Sequence, residues 1–192
     1  INVLMHALGY FKDGLNKAEK AEFLDSLESF RRGKLPLSAP VLHDAKRAVV
    51  DWHASLFPGA VIAPATLLER ALAGELDRGG ASLALGRRAT VRAEALINGT
   101  AAHAVEFDDI FRDAINDHGA PTIAAALAVA QHGGASGGEF LKAVVAGYEI
   151  STRIGTAVQP SHYRFFHTTG TVGCFGSAAA AAFLLKPDNP AV

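Results

Sequence analysis

Ser136-Gly137-Gly138-Glu139-Phe140-Leu141-Lys142-Ala143-Val144-Val145-Ala146-Gly147-Tyr148 is the stretch that decides the fold class. Ser136 and Glu139 stand at the spacing of a capping box, where hydroxyl and carboxylate each take up an orphan backbone N–H at a helix start. Behind them Phe140, Leu141, Val144, Val145 and Tyr148 recur at helical spacing and predict one buried stripe. Outward from there the same grammar repeats. Upstream, Pro121 opens a helix that ends near Gln131, with Gly133-Gly134 behind it. Thr90 caps another, running through about Val105. A helix over 41–57 puts Val41, Ala45, Val49, Trp52 and Leu56 inward and stops at Pro58-Gly59. One over 64–77 begins with Pro64 and is followed by Gly79-Gly80. Ala81 to Leu85, between Gly80 and Gly86, has room for a brief strand or an extended bend.

Downstream, residues 170–185 carry Gly170, Gly173, Gly176, Ser177 and the run Ala178 to Ala182. Small residues let helix backbones approach closely, so this helix expects to be surrounded by others. At the other end, apolar positions predict helices over 2–15 and 16–32, with Gly33 suited to a left-handed C′ position. Leu35-Pro36-Leu37-Ser38-Ala39-Pro40 cannot continue a helix and reads as a joint. Alternating apolar patterns are nearly absent. The expectation is an all-α fold with helices in layers, divided into a helical hairpin over 1–38 and a helical domain over 39–192.

Composition narrows the function classes. Of 192 residues, 49% are hydrophobic and 19% charged, enough for a packed core. The formal charge is −1, from 18 basic and 19 acidic residues, which argues against a nucleic-acid groove or a polybasic membrane patch. One cysteine, Cys174, excludes an internal disulfide framework and a multi-cysteine zinc site, and its small-residue surroundings predict a buried, inert thiol. No uninterrupted apolar run reaches the roughly 18 residues of a membrane span. The first residues lack the pattern of a signal peptide, so a cytoplasmic protein is expected and the sequon Asn98-Gly99-Thr100 is read as accidental. Both ends of the chain read as cut.

Two segments concentrate chemistry. His103-Ala104-Val105-Glu106-Phe107-Asp108-Asp109, followed by Asp113, Asp117 and His118, crowds carboxylates at a helix C-terminus, where the dipole is already negative. Like-charge crowding raises at least one carboxyl pKa, which suits general acid–base work; the plainer reading is a solvated acidic loop. Glu106, Asp108, Asp109 and His118 could also ligate a metal, but their spacing fits no fixed ligand motif, and no metal is expected. The second segment is Tyr163-Arg164-Phe165-Phe166-His167-Thr168-Thr169-Gly170-Thr171. Its hydroxyls and free helix N–H groups could hold a carboxylate or phosphate, with Arg164 as a bidentate fork; the plainer reading is a helix cap beside a surface histidine. Gly170, Gly173 and Gly176 form neither a Walker loop nor a dinucleotide fingerprint. His6, His43, His53, His132 and His162 read as surface or capping residues. Gly99 in a helix interior costs about 1 kcal/mol and marks either a close helix crossing or backbone beside a ligand.

Ala95-Leu96-Ile97-Asn98-Gly99-Thr100-Ala101-Ala102-His103-Ala104-Val105-Glu106-Phe107-Asp108-Asp109 resembles the signature of the MmgE/PrpD family. His118-Gly119-Ala120-Pro121, Ala146-Gly147-Tyr148-Glu149 and Phe166-His167-Thr168-Thr169-Gly170-Thr171-Val172-Gly173 resemble its later motifs, in order, over about residues 40–186. The family includes 2-methylcitrate dehydratase, cis-aconitate decarboxylase and iminodisuccinate epimerase. The resemblance implies a large helical domain, a lid that supplies lysine and tyrosine groups, and a homodimer. It also implies cofactor-independent proton abstraction alpha to a carboxylate of a small di- or tricarboxylate. Carried over residue by residue, it makes Glu106, Asp108, Asp109, His118 and His167 the catalytic candidates. Asn98, Arg164, Thr168, Thr169 and Thr171 become the substrate-binding ones. The loop departs from the family's His-Pro-Gly-Ala-Pro pattern: Asp117-His118-Gly119-Ala120-Pro121 sets His118 in the register of the proline. The lid has no counterpart in this sequence, so the competing expectation is a non-catalytic helical module for dimerisation or interaction. Val3 to Phe11 and Phe30 to Leu37 resemble the end of a YbgA-like DUF1722 domain.

Overall fold

The computed structural model describes residues 39–185 and the helical backbone at 17, 18 and 21; the helices expected over 2–15 and 16–32 otherwise lie outside the described residues. Six helices and one small hairpin make up the compact unit of residues 38–185. In chain order they are α1 (Ala39–Gly59), α2 (Ala65–Ala71), β1 (Leu76–Ser82), β2 (Arg88–Ala89), α3 (Val91–His103), α4 (Gly119–Gly133), α5 (Gly137–Val158) and α6 (Thr168–Leu185). Short 3₁₀ turns cover Ala73–Glu75 and His162–Arg164. The fold is mostly helical, as expected.

α4 is the central element. It packs against α3, α5, α6 and β1, and buries Ala120, Ile123, Ala124, Ala126 and Ala128 completely or nearly so. Alanine on every face lets neighbours come close all round. The expected capping box is complete: Ser136 N–H donates to Glu139 Oε2 at 3.0 Å, and Glu139 N–H to Ser136 Oγ at 3.3 Å. Thr90 caps α3 by accepting from Ala93 N–H at 3.2 Å. α5 and α6 cross through two glycines. A Cβ on Gly147 would lie 2.6 Å from the Gly176 carbonyl oxygen, and one on Gly176 would lie 3.0 Å from that of Gly147.

Several boundaries differ from the expectation. The joint at 35–40 ends sooner, because Ala39 and Pro40 already belong to α1, where a proline in the first turn gives up no helical donor. Val41, expected inward, is exposed, while Trp52 and Leu56 are buried. The helix expected over 64–77 stops at Ala71. Leu68, Leu72 and Leu76 keep helical spacing, but Leu76 reaches the same small core from a strand. β1 pairs antiparallel with β2 across a bulge, and Gly79 sits there at φ 89°. A side chain at Gly79 would run into the Ala89 backbone, so glycine is required.

α6 is buried on one face only, against α4 and α5; Gly170, Cys174 and Ala178 are exposed. Cys174 is therefore not the buried thiol expected. Threonines and a serine interrupt the apolar run of α6, yet it is the single helix among the described residues long and apolar enough to match a membrane span.

Candidate functional site

The acidic loop and the threonine turn meet. α3 ends at His103, and the loop beyond it folds back over residues 104–118, closed by Phe111 N–H donating to Asn116 O at 3.0 Å. Its conformation is set by Glu106 and Ile115, both in the left-handed region at φ 58° and 47°. For a β-branched residue such as Ile115 that region is costly, and the surrounding fold has to impose it. α6 begins across the way, and Thr169 ties it to the loop. The Thr169 hydroxyl donates to Asp117 Oδ2 at 2.7 Å and accepts from Asp117 N–H at 3.0 Å.

This closure places His103 against His167, with ring centroids 5.8 Å apart and planes 26° from parallel. His103 Nδ1 lies 2.9 Å from Asp108 Oδ2. The Asp108 carboxylate holds the His103 imidazole above its ordinary pKa, against the opposing effect of burial. Asp117 completes the group: donor atoms of His103, Asp117 and His167 all lie within 4.8 Å of one another. A cavity of about 530 Å³ opens alongside, between α3, α4 and α6. Its walls include Leu96, Gly99, Thr100, His103, Glu106, Pro121, Thr169 and Cys174.

The other candidates separate into those near the cavity and those used elsewhere. Glu106 and Thr169 line it. Asp108 acts on His103 from within, its side chain 3% exposed. Asp109 sits at the start of α4, where Oδ1 accepts from Gly119 N–H at 2.9 Å beside the Tyr148 hydroxyl. Burial pushes the Asp109 carboxyl up, while Tyr148 and the Gly119 N–H pull it back down. Tyr148 is pushed far up by burial and by Asp109.

His118 is not at the cavity. It is 3% exposed, lies between the rings of Phe111 and Tyr148, and approaches Ser151 Oγ at 2.8 Å, Asn116 Nδ2 at 3.0 Å and Thr152 Oγ1 at 3.2 Å. Burial lowers its pKa to about 4, so it is a neutral core imidazole. Asn98 likewise turns inward. Its Oδ1 accepts from Ala84 N–H at 3.0 Å, and its Nδ2 donates to Glu94 Oε1 at 2.7 Å and to Ser82 O at 3.3 Å. Those bonds clamp α3 to the hairpin. Thr168 is fully buried and accepts from Gln159 Nε2 at 2.7 Å; Thr171 Oγ1 lies 2.7 Å from His162 Nε2. Arg164 is exposed and is not part of the cavity wall. Gly99 marks a close helix crossing, where a Cβ would lie 3.1 Å from Ala120 O, and it also lines the cavity.

Two members of the cluster, His103 and Asp117, were not among the candidates. The register held the signal for one of them. With His118 in the proline's place, Asp117 stands where the family's loop histidine aligns, and it is Asp117 that the fold brings to His103 and His167. The Cys174 thiol, exposed at the surface but partly covered at its sulfur, is pushed up by that desolvation, donates to Thr171 O at 3.2 Å and is not activated.

A helical domain with a paired imidazole–carboxylate group at a cavity edge is a class of site rather than an identity. Comparison with known proteins supplies the family. Residues 28–192 match the MmgE/PrpD N-terminal domain, and the chain belongs to that family. Residues 1–43 match a second family, a protein of unknown function (DUF1722). In the same vein, the chain is similar to "Uncharacterized protein YbgA" of Escherichia coli (strain K12), with 34% identity over 59 residues, 31% of this chain and 31% of that one. The chain therefore spans about a third of the length of that curated relative. The two family matches overlap over residues 28–43, across the start of α1 at Ala39.

Proposed function

We propose that this domain carries the acid–base side of a lyase or epimerase site, taking a proton from the carbon alpha to a carboxylate of a small di- or tricarboxylate. The observation that carries the reading is the Asp108–His103 pair stacked on His167 at the edge of the cavity. A carboxylate on Nδ1 fixes the His103 tautomer and raises the basicity of the far nitrogen, which is what a proton-abstracting imidazole needs. Glu106 and Thr169 line the same wall, and the first residues of α6 supply helix N–H groups suited to a substrate carboxylate. A small polycarboxylate is the expected ligand, a homodimer the expected assembly and the cytoplasm the expected compartment.

Solvent-deuterium incorporation or product formation, followed by NMR over a panel of methylcitrate, cis-aconitate and iminodisuccinate, tests this. Turnover of one member, abolished by His103→Gln and by His167→Gln, is the expected result. Unchanged turnover in the Asp109→Asn/His167→Gln double variant would overturn it.

A second reading is favoured by a different observation. Phe107, Ile110, Tyr163, Phe165 and Phe166 expose large apolar surface around the same two loops. Patches of that kind mark interaction sites. A panel with no turnover, together with a discrete oligomer by size-exclusion mass measurement, selects a helical dimerisation or interaction module.

A further inference from the structure

We propose that His103, Asp117 and His167 form a binding site for a divalent transition-metal ion. Two imidazoles and one carboxylate are a donor set that suits Zn(II), Fe(II), Mn(II) and Co(II) alike. Their donor atoms already lie within 4.8 Å of one another. Three ligands at roughly 2.0–2.1 Å from an ion stand about 3.3 Å apart, so the side chains close from within 4.8 Å by up to about 1.5 Å. His167 is exposed, so its ring can shift toward an ion without disturbing the core.

The second observation is how the ligands are held from behind. Asp108 engages His103 at Nδ1, which leaves Nε2 as the nitrogen for an ion. Thr169 donates to Asp117 Oδ2, which leaves Oδ1. A carboxylate behind a ligating histidine and a hydroxyl behind a ligating carboxylate are the supports that metal sites use to fix tautomer and orientation. The bland alternative, a solvated charge pair, requires no support behind either partner. Nor does the reading follow from family likeness, since in this chain the carboxylate of Asp117 takes the place of a histidine.

An ion at this position occupies the nitrogen lone pairs that proton transfer would use, so ion and abstracted proton exclude each other. The inference does not depend on the acid–base reading. Turnover by a chain that binds no metal sinks only the metal site, and metal binding by a chain that turns over no substrate even when freed of metal sinks only the acid–base site.

The test is titration of the untagged, chelator-treated chain with Co(II), read by visible d–d absorption, and with Zn(II), read by calorimetry. One equivalent should bind. Asp108→Asn should weaken binding by roughly 10–100-fold, the usual cost of losing an outer partner, and Asp117→Asn and His167→Gln should weaken it at least as much. Asp117→Asn keeps an oxygen for Thr169, and His167 is exposed, so both variants should keep the wild-type circular dichroism. No stoichiometric binding by the wild-type chain would overturn the proposal, as would wild-type affinity in a folded Asp117→Asn or His167→Gln variant.

Discussion

His103 and His167, 64 positions apart in sequence, stack ring on ring at 5.8 Å, and Asp108 grips the first of them. Asp108 raises the pKa of His103 while burial lowers it. Asp108→Asn should therefore lower the His103 pKa, with Asp117 and Glu106 still holding it up, read as the titration of its ring C–H resonances in metal-free protein. The sign for stability follows. A histidine whose folded pKa is raised contributes most at low pH and loses that contribution as pH rises through the folded value. Asp108→Asn should flatten that slope, and an unmoved His103 titration would count against the pair.

Asn98 gives the clearest separation of structural from substrate-binding roles. Removing its amide strands Ala84 N–H and Glu94 inside the protein. Asn98→Ala should destabilise by about 2–4 kcal/mol, the cost of leaving two buried polar groups unsatisfied, measured by urea unfolding. A variant of wild-type stability that only raised KM would restore the substrate-binding role.

Glu94 is fully buried, and its pKa is pushed up to about 8 by burial, with Asn98 opposing. A carboxyl with a raised folded pKa binds its proton more tightly folded than unfolded, so stability falls as pH rises between the unfolded value and about 8. The expected slope is about 1.4 kcal/mol per pH unit over that window. Glu94→Gln keeps an acceptor for Asn98 and should remove the slope, leaving the variant more stable than the wild type near pH 8. An unchanged slope would place the titration elsewhere.

The Gly147–Gly176 crossing leaves no space for a methyl group. Gly147→Ala and Gly176→Ala should each cost about 1–3 kcal/mol or more through overpacking. Gly133→Ala, where nothing lies within 4 Å, is the control and should be near neutral in the same thermal melts.

Local signals carried most of the fold. The Ser136 capping box, the Thr90 cap and the glycines after Gln131 state their helices outright, because each is satisfied within one turn. The hairpin is legible only as a brief extended segment after Gly80; its start is masked by Leu68, Leu72 and Leu76, whose spacing serves a helix equally well, and only the non-local pairing with Arg88 and Ala89 decides the matter. The site was legible as two segments but not as a set of partners. His118 is a candidate through its place in the family-like loop, yet burial between Phe111 and Tyr148 lowers its pKa and places it in the core. Asp117 read as one acid among several until the turn at Ile115 and the hydroxyl of Thr169 aimed it. Nothing within α3 announces the hairpin edge to which the Asn98 amide is bonded.

The link from Thr169 to Asp117 bridges 52 residues. The cavity wall therefore does not exist in any folding intermediate that lacks the last helix, however well formed the rest has become. A ligand of the kind proposed above would thus report the docking of α6, and a nascent chain stalled before Thr169 would be helical yet without this wall.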